Sequence, residues 1–435
     1  MPTIGDNTAL SQGRDLHRSG AFTQAETIYR EFLSAHPDNV DALHLLGALF
    51  HQTSRTIEGL ELIQKALSFA EDRWDIRLNY GVILSQAGHF ERGAEELEKA
   101  YNANPNNEAA FKNLIGILRV LKRYDRAIDL LQNRDDLWAL EQLQQIYGLA
   151  NRTDKSIEVA RRVLKDNPDD QLTAHNLHRA LIVSSQKPSV TDIFPRRDGV
   201  DIGQHIIVAG MRKSASTFVS KMISQITGFD ELPLASGFSY TYDFIDREIL
   251  EYAFEKNTVS HTHCPAHEEN ILVIQAIGAK PVVVVRNIFD DARSYLDWIL
   301  GTNYPYETVY KEFRKIPEDE HLSFLIDTFI VRQLEFYSSW QYLERAEKLD
   351  IFWASYEDMA QDKIAYFESI LSFLNLPNSP QAVKEAVKIT EAIPNHRMNK
   401  GITGRGAELF SDKNKARVKA LTRYYPSVDF SRIGL

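Results

Sequence analysis

The fold is decided by the stretch His205-Ile-Ile-Val-Ala-Gly-Met-Arg-Lys-Ser-Ala-Ser-Thr-Phe-Val219. An apolar run ends at Gly210, and a loop that contains Lys, Ser and Thr comes before helical spacing resumes. This order predicts a β-strand, an anion-binding loop and the start of a helix, because backbone N–H groups of such a loop point at one spot. Lys213 adds a positive charge there. The stretch therefore predicts a site for a phosphate or sulfate group.

The spacing of this loop differs from that of ATP and GTP sites. Those sites have the pattern G-x-x-x-x-G-K-[ST]. Here Lys213 follows Gly210 by three positions, and Ala215 stands where a glycine is expected. The loop therefore favours an anion other than a nucleoside triphosphate.

Strands and helices alternate from about residue 202 to the end of the sequence. Apolar strands are predicted at 206–209, 259–261, 282–285 and 351–354. Strands that are apolar on both faces are typical of a parallel sheet covered on both sides. We therefore predict a P-loop-like α/β domain over residues 202–435.

A different pattern occupies residues 6–185, where helical periodicity repeats every 34 positions. This period is that of tetratricopeptide repeats, which place small residues where two helices approach closely. We predict units at 6–39, 40–73, 74–107, a shortened 108–136 and 137–170, followed by a capping helix to 185. The small residues on this period are Gly13, Gly47, Gly81, Ala25, Gly59, Gly93 and Ala127. The predicted fold class is thus α + α/β, a solenoid followed by the α/β domain.

Residues 186–201 contain prolines and polar residues and are predicted to form a linker. The repeats offer a concave face for a protein partner, or they serve for oligomerisation or as a rigid spacer.

Composition narrows the functional class. The 435 residues are 43% hydrophobic and 25% charged, which is ordinary for globular domains. A net charge of −10 argues against broad nucleic-acid binding. No window approaches the roughly 20 apolar residues of a membrane span, and the first residues lack a signal-peptide pattern. The single cysteine, Cys264, leaves no intrachain disulfide, so we expect a cytoplasmic protein.

Polar residues follow two further predicted strands, where ligands of open α/β sheets bind. Arg286 comes directly after one strand, and Ser294 lies eight residues later, so both can reach one phosphate. The strand ends in Arg rather than in an acidic Mg²⁺ ligand, which favours an anion bound without a metal. The alternative for Arg286 is an ordinary cap or ion pair at the surface.

Two histidines, His261 and His263, flank Thr262 at the end of another strand. Histidine accepts a proton near neutral pH, so either one is a candidate general base. The competing interpretation is a His-x-His metal site.

Five segments, taken in order, resemble the sulfotransferases that use 3′-phosphoadenosine-5′-phosphosulfate (PAPS). The resemblance covers roughly residues 203–425. The segments are Arg212-Lys-Ser-Ala-Ser-Thr-Phe218, His261-Thr-His-Cys-Pro265, Val285-Arg-Asn-Ile-Phe-Asp-Asp-Ala-Arg-Ser-Tyr295, Ser355-Tyr-Glu-Asp358 and Asn399-Lys-Gly-Ile-Thr-Gly404.

The resemblance implies a role for each matching residue. His263 is expected to be the general base and Lys213 to stabilise the leaving oxygen, while His261 stands where the family pattern has Lys. Glu268 and Glu269 are alternative bases, because related sulfotransferases often use Glu. The implied nucleotide-binding residues are Arg212, Lys213, Ser214, Ala215, Ser216, Thr217, Phe218, Arg286, Ser294, Tyr356, Lys400 and Gly401.

Three positions depart from the family pattern. Ala215 replaces a glycine, Phe218 replaces a tryptophan that stacks on adenine, and Asn399 replaces an arginine of the C-terminal clamp. These departures affect individual contacts rather than the assignment of the nucleotide.

The implied activity is metal-independent transfer of a sulfuryl group from PAPS to a hydroxyl or amine acceptor, a glycan or a protein. Two alternatives stay open at this point. One is an ATP-dependent phosphotransferase, which requires Mg²⁺. The other is a repeat scaffold with an inactive, nucleotide-binding α/β domain.

Overall fold

The computed structural model describes residues 4–184, 186–197, 199–234, 244–301, 312–392 and 403–435. The chain divides into two compact units, Met1–Val163 and Leu164–Leu435. The boundaries that we predicted at 185 and 202 come from the repeat period, whereas this division comes from the compactness of each unit. The predicted boundaries therefore stay a prediction. The fold class predicted from the sequence is confirmed, with repeat helices first and a parallel sheet second.

The first unit is a series of antiparallel helix pairs. The long helices of each predicted repeat unit appear in order, and the shortened fourth unit contains the eight-residue α8. The helices are α1 (Ile4–Arg18), α2 (Phe22–Ala35), α3 (Val40–Gln52), α4 (Thr56–Phe69), α5 (Trp74–Gln86), α6 (Phe90–Ala103), α7 (Glu108–Val120), α8 (Tyr124–Leu131), α9 (Leu137–Leu149) and α10 (Thr153–Asp166), the last of which crosses the boundary between the units.

Polar residues at the ends of the repeat units start the helices that follow. The side chains of Asn39, Asn107 and Asp136 accept hydrogen bonds from backbone N–H groups three residues later, at 2.8–3.1 Å. Each satisfies an N–H group that the first helical turn leaves without a partner. The Asn and Asp residues at these turns therefore define where α3, α7 and α9 begin.

The second unit contains a five-stranded sheet and its covering helices. Its strands are β1 (His205–Gly210), β2 (Asp230–Glu231), β3 (Thr258–Thr262), β4 (Lys280–Val285) and β5 (Phe352–Ser355). Its helices are α11 (Gln171–Val183), α12 (Val190–Ile193), α13 (Ser216–Thr227), α14 (Arg247–Tyr252), α15 (Glu268–Ala276), α16 (Ile288–Gly301), α17 (Glu318–Phe324), α18 (Val331–Arg345), α19 (Tyr356–Gln361), α20 (Lys363–Phe373), α21 (Pro380–Ala392), α22 (Arg405–Leu409) and α23 (Asp412–Leu421). A π-helical turn, Leu325–Ile330, joins α17 to α18, and 3₁₀ turns lie at Thr422–Tyr424 and Ser431–Ile433.

The sheet is parallel throughout, in the order β2-β3-β1-β4-β5. Strand β1 lies between β3 and β4, and all six of its residues are buried. The valines of β4 are equally buried, as their apolar run predicts. Because carboxyl ends of parallel strands share one edge, the segments that follow β1, β3 and β4 meet there.

One face of the sheet packs against a hydrophobic core formed with α13, α19, α20 and α21. Phe218 and Met222 of α13 belong to this core, together with Phe367 and Ile370 of α20. The core anchors the first turn of α13 below the loop that follows β1. Within the described ranges, every helix is too short or too polar to span a bilayer.

Close packing between α3 and α4 leads to a first prediction. A Cβ atom on Gly59 would lie 2.5 Å from the backbone oxygen of Gly47, whereas a Cβ atom on Gly116 of α7 meets nothing within 4 Å. Gly59→Ala should therefore lower the free energy of unfolding by about 1–3 kcal/mol, because the two helices must move apart. Gly116→Ala should raise it by up to about 1 kcal/mol, because alanine favours the helix.

Urea unfolding of the full chain, followed by circular dichroism, measures both variants. If Gly59→Ala is as stable as Gly116→Ala, the repeat period does not mark sites of close helix approach.

Candidate functional site

The loop between β1 and α13 has a strained backbone. Lys213 and Ala215 adopt left-handed conformations, with φ of 69° and 70°. Non-glycine residues rarely occupy this region, and such strain concentrates at functional sites. Ala215 adopts this conformation although it replaces the expected glycine. Ala215 also supplies no side-chain cap to α13, and the N–H groups at such a helix start favour an anion.

Glycine is required at the end of β1. A Cβ atom on Gly210 would collide with the side chain of Ser216 and would lie 3.1 Å from Oγ of Ser214. Ser214 is fully buried, and its Oγ donates a hydrogen bond of 2.6 Å to the backbone oxygen of Met211. The loop therefore folds tightly over the end of its own strand.

His263 lies against the same strand end. Its Nδ1 is 2.6 Å from the backbone oxygen of Gly210. A carbonyl oxygen can only accept, so Nδ1 carries a proton and Nε2 carries the lone pair. Burial above all, followed by the neighbouring His261, Arg212 and Lys213, holds the pKa of His263 well below its usual range, although the Gly210 bond opposes this. His263 is therefore a neutral imidazole at neutral pH, as a general base must be.

His261 connects strand β3 to the start of α13. Its Nε2 lies 2.9 Å from Oγ of Ser216, and its ring meets the ring of His263 edge-on with centroids 4.7 Å apart. The structure thus brings both predicted histidines close to the loop between β1 and α13, residues 211–215. We call this loop the anion loop.

Lys213 contacts the first of three stacked aromatic rings. Its Nζ lies 5.2 Å from the centroid of the Trp298 ring, which is within the range of a cation–π interaction. Trp298 stacks on Tyr295, and Tyr295 stacks on Phe329 with centroids 4.0 Å apart. Phe329 belongs to the π-helical turn, a feature that often occurs at functional sites.

Arg286 is buried at the end of β4 rather than placed on the surface, with 6% of its area exposed. Its guanidinium carbon lies 4.0 Å from the centroid of the Tyr356 ring, and its Nη1 donates to the backbone oxygen of Lys213 at 3.2 Å. Ser294 is buried on α16. The end of β4 is therefore tied both to the anion loop and to α19, which begins at Tyr356.

Two acidic residues that the sequence analysis did not select organise this edge. Asp290 accepts hydrogen bonds of 2.6 Å from the backbone N–H groups of Gly404 and Gly406. Glu357 accepts a bond of 3.0 Å from the N–H group of Asn287. Both residues lie in the first turn of a helix, where acidic side chains are common for local reasons, so their distant partners leave no signal in the sequence.

The remaining predicted residues occupy varied positions. The backbone N–H of Arg212 donates to Gln333 at 3.3 Å, and Thr217 is half-buried in the first turn of α13. Phe218 is 4% exposed and packs in the hydrophobic core. Glu268 and Glu269 are exposed at the start of α15. Lys400 and Gly401 lie outside the described residues.

A metal site at His261 and His263 would need at least one further ligand. In the part of the chain that the structure describes, no three His, Cys, Asp or Glu side chains are grouped as they would be around a metal ion.

Comparisons with known proteins match both halves of the chain. Residues 203–393 match the family model of the sulfotransferase domain, and residues 10–74 and 78–134 match that of the tetratricopeptide repeat. Mouse sulfotransferase SULT7A1, solved in complex with PAP, is similar with a TM-score of 0.42 and 16% identity, over 53% of this chain and 87% of that one. PilF of Pseudomonas aeruginosa is similar with a TM-score of 0.35 and 17% identity, over 44% of this chain and 86% of that one. No curated protein matches the sequence.

Proposed function

We propose that this chain, which joins tetratricopeptide repeats to a sulfotransferase domain, transfers a sulfuryl group from PAPS to a hydroxyl or amine acceptor. One observation carries the proposal. The loop after β1 meets the buried Arg286 and His263, whose Nδ1 donates to Gly210, at the carboxyl edge of three adjacent parallel strands. This arrangement suits a doubly phosphorylated ligand next to a group that accepts a proton.

The site residues divide between the two ends of the nucleotide. We assign the 5′-phosphosulfate to the loop 212–217 and the first turn of α13, where helix N–H groups favour an anion. We assign the 3′-phosphate to Arg286 and Ser294, because Arg286 is buried and its guanidinium is held by Tyr356. Lys400 and Gly401 complete the assignment by family resemblance, whereas Phe218 is left out because it packs in the hydrophobic core.

The chain's own residues supply proton transfer and charge stabilisation. Nε2 of His263 removes the proton of the attacking acceptor group, while Lys213 stabilises the negative charge on the bridging oxygen of the leaving nucleotide. The aromatic face of Trp298 holds the Lys213 ammonium close to the loop. PAPS, when bound, supplies the sulfuryl group and leaves as 3′-phosphoadenosine-5′-phosphate (PAP). His261, bonded to Ser216, is the second candidate base and otherwise positions the loop.

The structure favours this proposal over the two alternatives. A phosphotransferase would need a carboxylate that holds Mg²⁺ at the end of β4, whereas β4 ends in Arg286, which is buried and donates to the backbone oxygen of Lys213. An inactive scaffold would not need a histidine whose tautomer is fixed by Gly210.

Replacement of the two central residues should separate catalysis from binding. His263→Ala should reduce the rate of transfer by at least about a hundredfold, the lower range for general-base catalysis, while PAP still binds. Lys213→Ala should weaken PAP binding as well as transfer, because the same ammonium contacts the ground state and the transition state. Single-turnover transfer of label from PAPS to an acceptor of the wild-type enzyme measures the rate, and calorimetry measures binding.

The exposed His89 provides the matched control, since His89→Ala should change neither quantity. Full activity in His263→Ala would assign the base to His261, Glu268 or Glu269 instead.

The repeats offer a site for a macromolecular acceptor or partner. The first unit contains a cavity of about 750 Å³ lined by basic side chains of α1 and by Arg73. Arg73 donates to both acidic residues of the lining, Asp41 at 3.0 Å and Asp75 at 2.7 Å. Arg14 and Arg18, one helical turn apart, have no hydrogen bond or ion pair within the described ranges. We propose that this cavity binds an acidic segment of a protein.

Charge reversal at the cavity should weaken this binding. The double variant Arg14→Glu/Arg18→Glu should bind fluorescently labelled hexaglutamate at least about tenfold more weakly than the wild-type chain, because like charges then oppose each other. Lys122→Glu/Arg123→Glu makes the same charge change at exposed positions of the first unit and should have little effect. Equal affinity of the two double variants in a fluorescence anisotropy titration would disprove the assignment of the cavity.

A further inference from the structure

Asp291 of α16 is a buried acid that the proposed reaction does not use. None of its surface is exposed, and neither carboxyl oxygen has a hydrogen-bond partner among the described residues. Its neighbour Asp290 is also buried, but both of its oxygens accept backbone hydrogen bonds. An ionised carboxylate without a partner is unfavourable inside a protein. Asp291 therefore needs either a proton or a compensating positive charge nearby.

The position of Asp291 associates it with the nucleotide site. The residue lies in the first turn of α16, where its N–H group donates to the backbone oxygen of Asn287 at 2.9 Å. It comes three residues before Ser294 and seven before Trp298, and residues at these spacings share one face of a helix. This is the face that carries the proposed 3′-phosphate ligand Ser294 and the ring beside Lys213.

Charged groups act on Asp291 from the loop after β1, from the end of β4, from α19 and from its own helix. Burial is the largest influence and raises the pKa of its carboxyl group well above the usual range. Arg286 at the end of β4 and Lys213 in the anion loop act in the opposite direction, while Glu357 of α19 and Asp290 of α16 raise the pKa further. Arg286 and Lys213 are also the two cations that we assign to the 3′-phosphate and the 5′-phosphosulfate.

We propose that Asp291 is a positioning residue of the nucleotide site that must carry a proton when the 3′-phosphate is bound. This inference rests on the proposed function. A phosphate dianion beside Arg286 and Ser294 repels an ionised carboxylate buried close to it, whereas a protonated carboxyl group carries no charge and is not repelled. The proton comes from solvent, and no covalent bond changes.

The proposal links nucleotide affinity to pH in a defined direction. A bound dianion raises the pKa of Asp291 above its value in the free protein. Between these two pKa values binding takes up one proton, so the Kd of PAP rises with pH, by up to about tenfold per pH unit. Adenosine 5′-phosphate lacks the 3′-phosphate and should show little of this dependence.

Calorimetric titration of the full chain with PAP tests the proposal. The Kd is measured from about pH 6 to about pH 9, and proton uptake is obtained from two buffers of different ionisation enthalpy. Phosphate monoesters themselves titrate near pH 6, so the decisive quantity is the difference between wild type and Asp291→Asn. The exposed Asp350 provides the control Asp350→Asn, which should behave as wild type.

Proton uptake in the wild type and its loss in Asp291→Asn, with tighter PAP binding by the variant at high pH, are expected. Uptake in the wild type that adenosine 5′-phosphate reproduces would overturn the placement of Asp291 beside the 3′-phosphate. PAP binding to the wild type without proton uptake would overturn the Asp291 proposal and leave the proposed function intact. No PAP binding at any pH would overturn both. If Asp291→Asn does not fold, wild-type proton uptake above about pH 8, where phosphate monoesters no longer titrate, decides the proposal.

Discussion

The parallel pairing of β1 with both β3 and β4 is the constraint on which the candidate site depends. It places the end of β1 between the two neighbouring strands, so the anion loop, His263 and Arg286 come together without any long-range loop. The backbone oxygen of Gly210 then receives the His263 N–H, and the backbone oxygen of Lys213 receives the Arg286 guanidinium. Backbone oxygens at the end of β1 and in the loop that follows it thus orient both side chains.

Electrostatics at this edge of the sheet favours an anionic ligand. Arg286 is almost fully buried, and Lys213 lies over an aromatic ring, so both cations are partly shielded from water. Charges in such surroundings interact more strongly than they do in bulk solvent. Among nearby acids, the carboxylate of Asp290 accepts hydrogen bonds from backbone N–H groups of the C-terminal segment, whereas the carboxyl oxygens of Asp291 have no hydrogen-bond partner within the described residues. The site therefore combines two cations, which we assign to phosphate groups, with one buried acid whose protonation would change the local charge.

Much of this arrangement could be predicted from the sequence, because it depends on local patterns. The 34-residue period, the apolar strands and the loop around Lys213 each reflect neighbouring residues, and family models match both halves. The partners of Asp290 and Glu357 could not be predicted, since they depend on segments that are distant in sequence. The position of Phe218 could not be predicted either. It aligns with a residue that stacks on the nucleotide in the family pattern, but here it packs in the hydrophobic core. The roles of the individual site residues stay predictions.

The central claim is that this edge of the sheet binds a 3′-phosphorylated nucleotide without a metal. The most direct measurement is calorimetric titration of the wild-type chain with PAP, adenosine 5′-phosphate and ATP, each with and without Mg²⁺. Tight binding of PAP that is independent of Mg²⁺ and requires the 3′-phosphate is the predicted result. Preference for ATP with Mg²⁺ would contradict the claim in favour of a phosphotransferase, and absence of binding by all three nucleotides would contradict it outright.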